Sequence, residues 1–143
     1  MDNPAVPSFP IGGSSHVETR KILILEDEET VSKFIKFALE PANRVVIVAD
    51  GVEGVKEVQA GDFDVIICDM MMPKLPGDMF YQAVERMKPH LCNRFIFMTG
   101  YKGDGKVADF VKKVSGTMLN KPFHVDDLLE MIAFVQVRAD LSF

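Results

Sequence analysis

The stretch "DVIICDMMMP", residues 64–73, runs four apolar or near-apolar residues into an aspartate, then three methionines and a proline. So short an apolar run is too brief for a helix and suits a strand buried on both faces, read here as "FDVIIC" (63–68). Asp69 then falls at the carboxyl end of that strand. A carboxylate there either turns the chain or acts as an oxygen nucleophile. Met70 and Met72 read as packing residues, because a thioether fills irregular gaps without needing a polar partner.

Working outward, four more runs have the same character: "KILILE" (21–26), "RVVIVA" (44–49), "RFIFM" (94–98) and "TMLN" (117–120). Helical periodicity lies between them. Val31, Phe34, Ile35, Ala38 and Leu39 mark one oily face over Thr30 to Glu40, which Pro41 stops. Val52 to Ala60 follows, ending before Gly61. Met79, Phe80, Ala83, Val84 and Met87 mark a third helix, ended by Pro89. Val107, Phe110, Val111 and Val114 mark a fourth, closed by Gly116; Leu128, Leu129, Ile132 and Val135 mark a last one, to about Ala139. Five strands alternating with five helices predict an α/β fold: a three-layer, five-stranded parallel sheet with right-handed crossovers. In such sheets the site lies beyond the carboxyl ends of the strands.

The composition fits this reading. At 143 residues the chain is about one domain, and 48% hydrophobic content with a net charge of −5 is that of a globular protein. The acidity argues against a nucleic-acid partner, which needs a basic stripe. No apolar run approaches a membrane span, and the N-terminus lacks a signal pattern. Residues 1–20 carry three prolines, a Gly-Gly and a Ser-Ser and read as a flexible tail or linker ahead of a domain over 21–140. Cys68 and Cys92 lack metal-ligand spacing and read as reduced core residues, which points to a cytoplasmic location. His16, His90 and His124 are too scattered for a metal site.

Along the predicted rim, Glu26 and Asp27 end the first strand, Asp69 the third, Thr99 the fourth and Lys121 the fifth. Each alone is weak evidence, since Asp and Thr are common at turns and caps. Together they make a chemical set. At an effective dielectric of 20, each pair of carboxylates 4 Å apart costs about 4 kcal/mol, so the fold needs positive charge among them. Lys121 supplies one unit, and a hard divalent cation would supply two more. An all-oxygen set suits Mg2+ rather than zinc. Carboxylates, a metal, a hydroxyl and an ammonium together suit a phosphoryl group attacked by one of the carboxylates.

Over about Lys21 to Ala139, these motifs resemble the receiver domain of two-component response regulators, and the Pro/Gly/Ser-rich front end with "RFIFMTG" resembles receivers on the C-terminal side of hybrid sensor histidine kinases. The acidic pair Glu26-Asp27, Asp69 in "DMMMP", Thr99 in "FMTG" and Lys121 in "NKPF" carry the likeness, with Thr99 thirty and Lys121 fifty-two residues beyond Asp69. The resemblance implies a flavodoxin-like receiver fold with strand order 2-1-3-4-5. It implies that Asp69 accepts a phosphoryl group from the phosphohistidine of a sensor histidine kinase or histidine phosphotransfer domain. Mg2+ is then held by Asp27, Asp69 and the backbone carbonyl of Met71, with Glu26 acting through a water. Thr99 turns in to bond a phosphoryl oxygen and Lys121 pairs with another, aimed by a cis peptide before Pro122. The resemblance implies that the signal leaves by the face of the fourth helix, fifth strand and fifth helix, and that two copies can pair through it. No further enzymatic activity is implied beyond the domain's own phosphotransfer and slow autodephosphorylation.

The chain departs from the family pattern in places. Glu26 stands where aspartate is commoner. Met118 stands where many receivers carry an aromatic switch residue, and Tyr101 is its candidate substitute. Met71 and Tyr101 are expected to flank the pocket mouth and to hinder the hydrolytic water. "GDGK" (103–106) lacks full phosphate-loop spacing and reads as a loop entering a helix. Asp126 and Asp127 read as dipole-stabilising residues of the last helix. Two other functions compete: an unphosphorylated receiver-like interaction module, and a Mg2+-dependent aspartyl-nucleophile phosphohydrolase. The second normally places another aspartate two residues after the nucleophile, where this chain has Met71. With Phe143 soon after the last helix, output is expected through protein contacts or onward phosphotransfer.

Overall fold

Strand β1 (Lys21–Leu25) leads to helix α1 (Glu29–Leu39), then β2 (Arg44–Val48), α2 (Gly51–Ala60), β3 (Val65–Asp69) and α3 (Gly77–Met87). A 3-10 segment (Pro89–Arg94) precedes β4 (Phe95–Thr99), α4 (Gly105–Lys113), β5 (Thr117–Asn120) and α5 (Val125–Asp140). The structure, a computed structural model, describes residues 19–100 and 105–141. Tyr101 and almost all of the proposed tail lie outside them.

The five strands form one parallel sheet in the order β2-β1-β3-β4-β5. The sheet is apolar on both faces, as continuous rather than alternating strands require. Ile22, Ile24, Val65, Ile67, Ile96, Met98 and Leu119 meet Ile35 and Leu39 of α1 and Leu128, Ile132 and Val135 of α5. On the other side Leu23, Leu25, Ile66, Cys68, Phe95 and Phe97 meet Val58, Phe80, Val84, Val107 and Val111 of α2, α3 and α4. Tyr81 joins this second layer, with its ring centroid 5.0 Å from Phe95, 5.8 Å from Phe97 and 5.6 Å from Phe110. Cys68 is buried, Cys92 is half-buried, and both thiols are free.

Several boundaries differ from those expected. The third strand starts two residues later and includes Asp69, whose partner in the ladder is Met98. Thr99 likewise belongs to β4 and pairs with Asn120. Helix α1 ends at Leu39, one residue before a cis peptide at Glu40-Pro41. Pro89 does not end α3. The helix stops at Met87, and Pro89 opens the 3-10 segment, where its missing N–H is no loss. Helix α4 is closed by Ser115, at φ 54°, rather than by Gly116. Gly116 is needed for another reason: a Cβ there would lie 2.7 Å from the Phe97 ring.

Candidate functional site

Three backbone hydrogen bonds carry the sheet one step past its strand ends and fix the site. Glu26 N–H donates to Val48 O at 3.0 Å, Met70 N–H to Met98 O at 3.0 Å, and Lys121 N–H to Thr99 O at 2.8 Å. Glu26, Asp69 and Lys121 thus lie at or one residue past strand ends that the ladders of three different strand pairs hold in place. The peptide between Lys121 and Pro122 is cis, as the resemblance implies.

The β3–α3 connection is equally constrained. Met70 and Met72 are buried and Met71 between them is 62% exposed, so the first two are packing residues as expected. Gly77 N–H donates to Met70 O at 3.2 Å. A Cβ at Gly77 would lie 2.9 Å from both Asp69 O and Met70 Cα, so only glycine lets α3 start this close to the strand end. Lys74 has φ 68° and places its ammonium 3.4 Å from Asp50 Oδ2. Asp50 in turn caps α2, with Oδ1 accepting from Glu53 N–H at 2.9 Å.

Carboxylate oxygens of Glu26, Asp27 and Asp69 lie within 4.8 Å of one another. Glu26 and Asp69 are buried and Asp27 is exposed. Asp69 Oδ1 accepts from Met71 N–H at 3.1 Å and Oδ2 from Lys121 Nζ at 3.2 Å. Lys121 Nζ also lies 2.6 Å from Glu26 Oε1, close but poorly aligned as a hydrogen bond, while Glu26 Oε2 accepts from Glu28 N–H at 3.0 Å. Burial pushes the Glu26 carboxyl above its ordinary range, and the Asp69 charge adds to that, against the pull of Lys121 and the Glu28 N–H. Burial alone would lower the Lys121 ammonium, but Glu26 and Asp69 together outweigh it and hold its pKa above the ordinary value. Lys121 thus sets one positive charge among three carboxylates.

Of the residues singled out from sequence, Glu26, Asp27, Asp69 and Lys121 are brought together. Thr99 sits buried at the neighbouring strand end. Met71 lines an opening of about 530 Å³ with Asp27, Glu28, Asp69, Gly100 and Lys121. Met118 is in register with Phe97 and packs on the core layer shared with α4, away from the cluster. Asp126 and Asp127 lie in the first turn of α5, where Asp127 Oδ2 accepts from His124 N–H at 3.2 Å. Two contributors were missed: the backbone N–H of Glu28, which any residue supplies, and Gly77, which reads in "LPGD" as an ordinary turn residue. Three hard oxygen donors at this spacing, beside an exposed opening, fit a divalent cation such as Mg2+.

The sequence profile of the response regulator receiver domain matches residues 22–133. The response regulator receiver protein CpdR of Brucella abortus is 27% identical over 121 residues, which cover 84% of this chain and 99% of that protein. The transcriptional regulatory protein TcrA of Mycobacterium tuberculosis is 30% identical over 123 residues, covering 83% of this chain but 45% of TcrA. The chain thus spans nearly all of one relative and under half of the other. A receiver domain protein from Clostridium thermocellum superposes with a TM-score of 0.76 at 33% identity, over 85% of this chain and 98% of that one. Among the described residues, no helix is long and apolar enough to cross a membrane.

Proposed function

The chain belongs to the response regulator receiver domain family, a module of two-component signalling, and we propose that Asp69 is its phosphoacceptor. One observation carries this: a buried carboxylate at a strand end, with an ammonium at 3.2 Å and two further carboxylates within 4.8 Å. The donor is a phosphohistidine of a sensor histidine kinase or histidine phosphotransfer domain. An Asp69 carboxylate oxygen forms the new O–P bond as the N–P bond of the donor breaks. The leaving imidazole nitrogen keeps the electron pair and takes a proton from solvent.

Asp27, Asp69 and the backbone carbonyl of Met71 would hold Mg2+, with Glu26 acting through a water. When bound, the cation supplies positive charge to the phosphoryl oxygens. Lys121 pairs with one phosphoryl oxygen and Thr99 hydrogen-bonds another, so charge that develops in transfer meets preplaced partners. Met71, exposed at the opening, screens the acyl phosphate from water. The altered strand end is read out through the α4–β5–α5 face, with Met118 in place of an aromatic switch, and two copies can pair through that face. Beyond this self-phosphorylation and slow autodephosphorylation the domain is a signalling module and not an enzyme.

Incubation with acetyl phosphate and Mg2+, followed by a Phos-tag gel, tests the reading. A retarded band in the wild type that is absent in Asp69→Asn is expected. A wild type that stays unmodified would overturn the proposal.

A further inference from the structure

We propose that a cavity at the end of the sheet opposite the acidic cluster binds a small organic phosphate, held by Arg94 and Arg138. Its volume is about 410 Å³, within the usual range for small-molecule sites. It lies among α3, the 3-10 segment and the carboxyl ends of α4 and α5. Arg94 precedes β4 and Thr99 ends it, so about 16 Å of strand separates the cavity from the phosphoacceptor rim. The function proposed above does not depend on this cavity, nor the cavity on that function.

The charge here is one-sided. Arg94 and Arg138 line the cavity, and among the described residues no acidic side chain does. His90 also lines it but is already engaged by Asp62, at 2.8 Å. Arg94 Nη1 donates to Phe63 O at 2.9 Å, which fixes the guanidinium, while its Nε is buried with no hydrogen-bond partner. A buried donor without an acceptor is costly, so a ligand that brings one is favoured. Arg138 stands in the last turn of α5, where helix carbonyls favour a cation, yet it makes no ion pair among the described residues. Its charge reaches the Tyr81 hydroxyl: burial, Cys92 and Glu85 push that pKa up, and Arg138 pulls against them. Two guanidiniums on separate elements suit an anion with several oxygens, as a phosphate has.

The remaining walls say what should carry the phosphate. Pro89, Val114 and Tyr81 are apolar surfaces beside the arginines. The Tyr81 ring is held edge-on to Phe95 at 5.0 Å and to Phe110 at 5.6 Å, so this wall is rigid. A bare anion would use the arginines alone, whereas a phosphate on a flat apolar body would also cover these surfaces.

The test titrates the metal-free full chain with phenyl phosphate and, separately, with inorganic phosphate, following backbone amides by NMR. Without a cation the three carboxylates at the other rim repel both probes, so the cavity is read alone. Phenyl phosphate should give saturable shifts at Cys92, Arg94 and Arg138 with a Kd no weaker than about 1 mM, and should bind at least about fivefold more tightly than inorganic phosphate. Arg138→Gln should weaken phenyl phosphate on the order of tenfold. Ala139→Glu, which sets a carboxylate at the same wall and keeps both arginines, should weaken it too and decides the matter if Arg138→Gln does not fold. No saturable shift, an unchanged Kd in either folded variant, or equal binding of the two probes overturns the assignment.

Discussion

Lys121 Nζ stands 3.2 Å from Asp69 Oδ2, across fifty-two residues of chain and the full width between β3 and β5. Removing the ammonium leaves two buried carboxylates facing each other. Lys121→Gln should destabilise the metal-free protein by about 3 kcal/mol, toward the low end for a broken buried pair because the lysine is partly exposed. The folded state raises the lysine pKa, so this contribution is complete below the ordinary value of 10.5 and is lost as pH rises through the higher folded value. Urea unfolding should show a gap between wild type and variant that is constant near neutrality and closes at strongly alkaline pH. Mg2+ should narrow the gap near neutrality, since it restores positive charge to the same cleft.

Gly77 ties stability to chemistry. Alanine is the better helix former, by about 1 kcal/mol, but here its Cβ would press on the backbone of Asp69 and Met70 at 2.9 Å. Backbone gives way less readily than a side-chain tip, so the clash should win. Gly77→Ala is expected to cost about 1–3 kcal/mol and also to slow phosphorylation by acetyl phosphate, because the strand end that aims Asp69 must shift. Normal labelling kinetics in a destabilised variant would show that the shift does not reach the carboxylate.

The turn after α4 separates two demands that adjacent small residues can hide. Ser115 pays the left-handed backbone cost at φ 54°, and Ser115→Gly should stabilise by about 0.5–1 kcal/mol. Gly116→Ala should do the opposite, by about 1–3 kcal/mol, since the Phe97 ring it meets is boxed in by Phe95, Tyr81 and Phe110. Thermal melts of the two variants should move in opposite directions.

Asp62 links the α2–β3 connection to the 3-10 segment, with His90 Nε2 at 2.8 Å from Oδ2 and Lys88 Nζ at 3.0 Å from Oδ1. Chiefly His90, and then Lys88, hold its carboxyl below the ordinary 3.8. A depressed carboxylate stabilises above its unfolded value, and the effect is lost as pH falls through the folded one. Its side chain is 54% exposed, so screening limits the effect to less than about 1 kcal/mol. Asp62→Asn should therefore be slightly less stable than wild type near neutrality, with the difference fading as pH falls below 3.8 and gone once the pH is under the lower folded value. A difference that persisted there would point to packing instead.

The parts legible in the sequence were those fixed by long apolar periodicity and by residue chemistry. Buried parallel strands such as "KILIL" have no polar alternation to blur them, and carboxylates at several strand ends draw attention because they repel. Local details followed other physics. Ser115 takes the left-handed turn while Gly116 stays small against Phe97, a contact made across the fold and invisible in "VSGT". Pro89 opens a 3-10 turn in place of ending a helix, since α3 had already stopped at Met87. The double engagement of Glu26 depends on a backbone N–H that no side chain announces.

Met71 offers the clearest separation of chemistry from folding. The residue is 62% exposed between two buried methionines and stands at the mouth shared by Asp27, Asp69 and Lys121. An exposed side chain contributes little to stability, so Met71→Ser should change it by no more than about 0.5 kcal/mol. If Met71 hinders the hydrolytic water, the aspartyl phosphate should decay several-fold faster in the variant, and faster still when Tyr101 is replaced by serine as well. Phosphate release from pre-labelled protein, after the phosphodonor is removed, measures this directly. Equal decay rates in wild type and both variants would show that the hydrolytic water enters by another path.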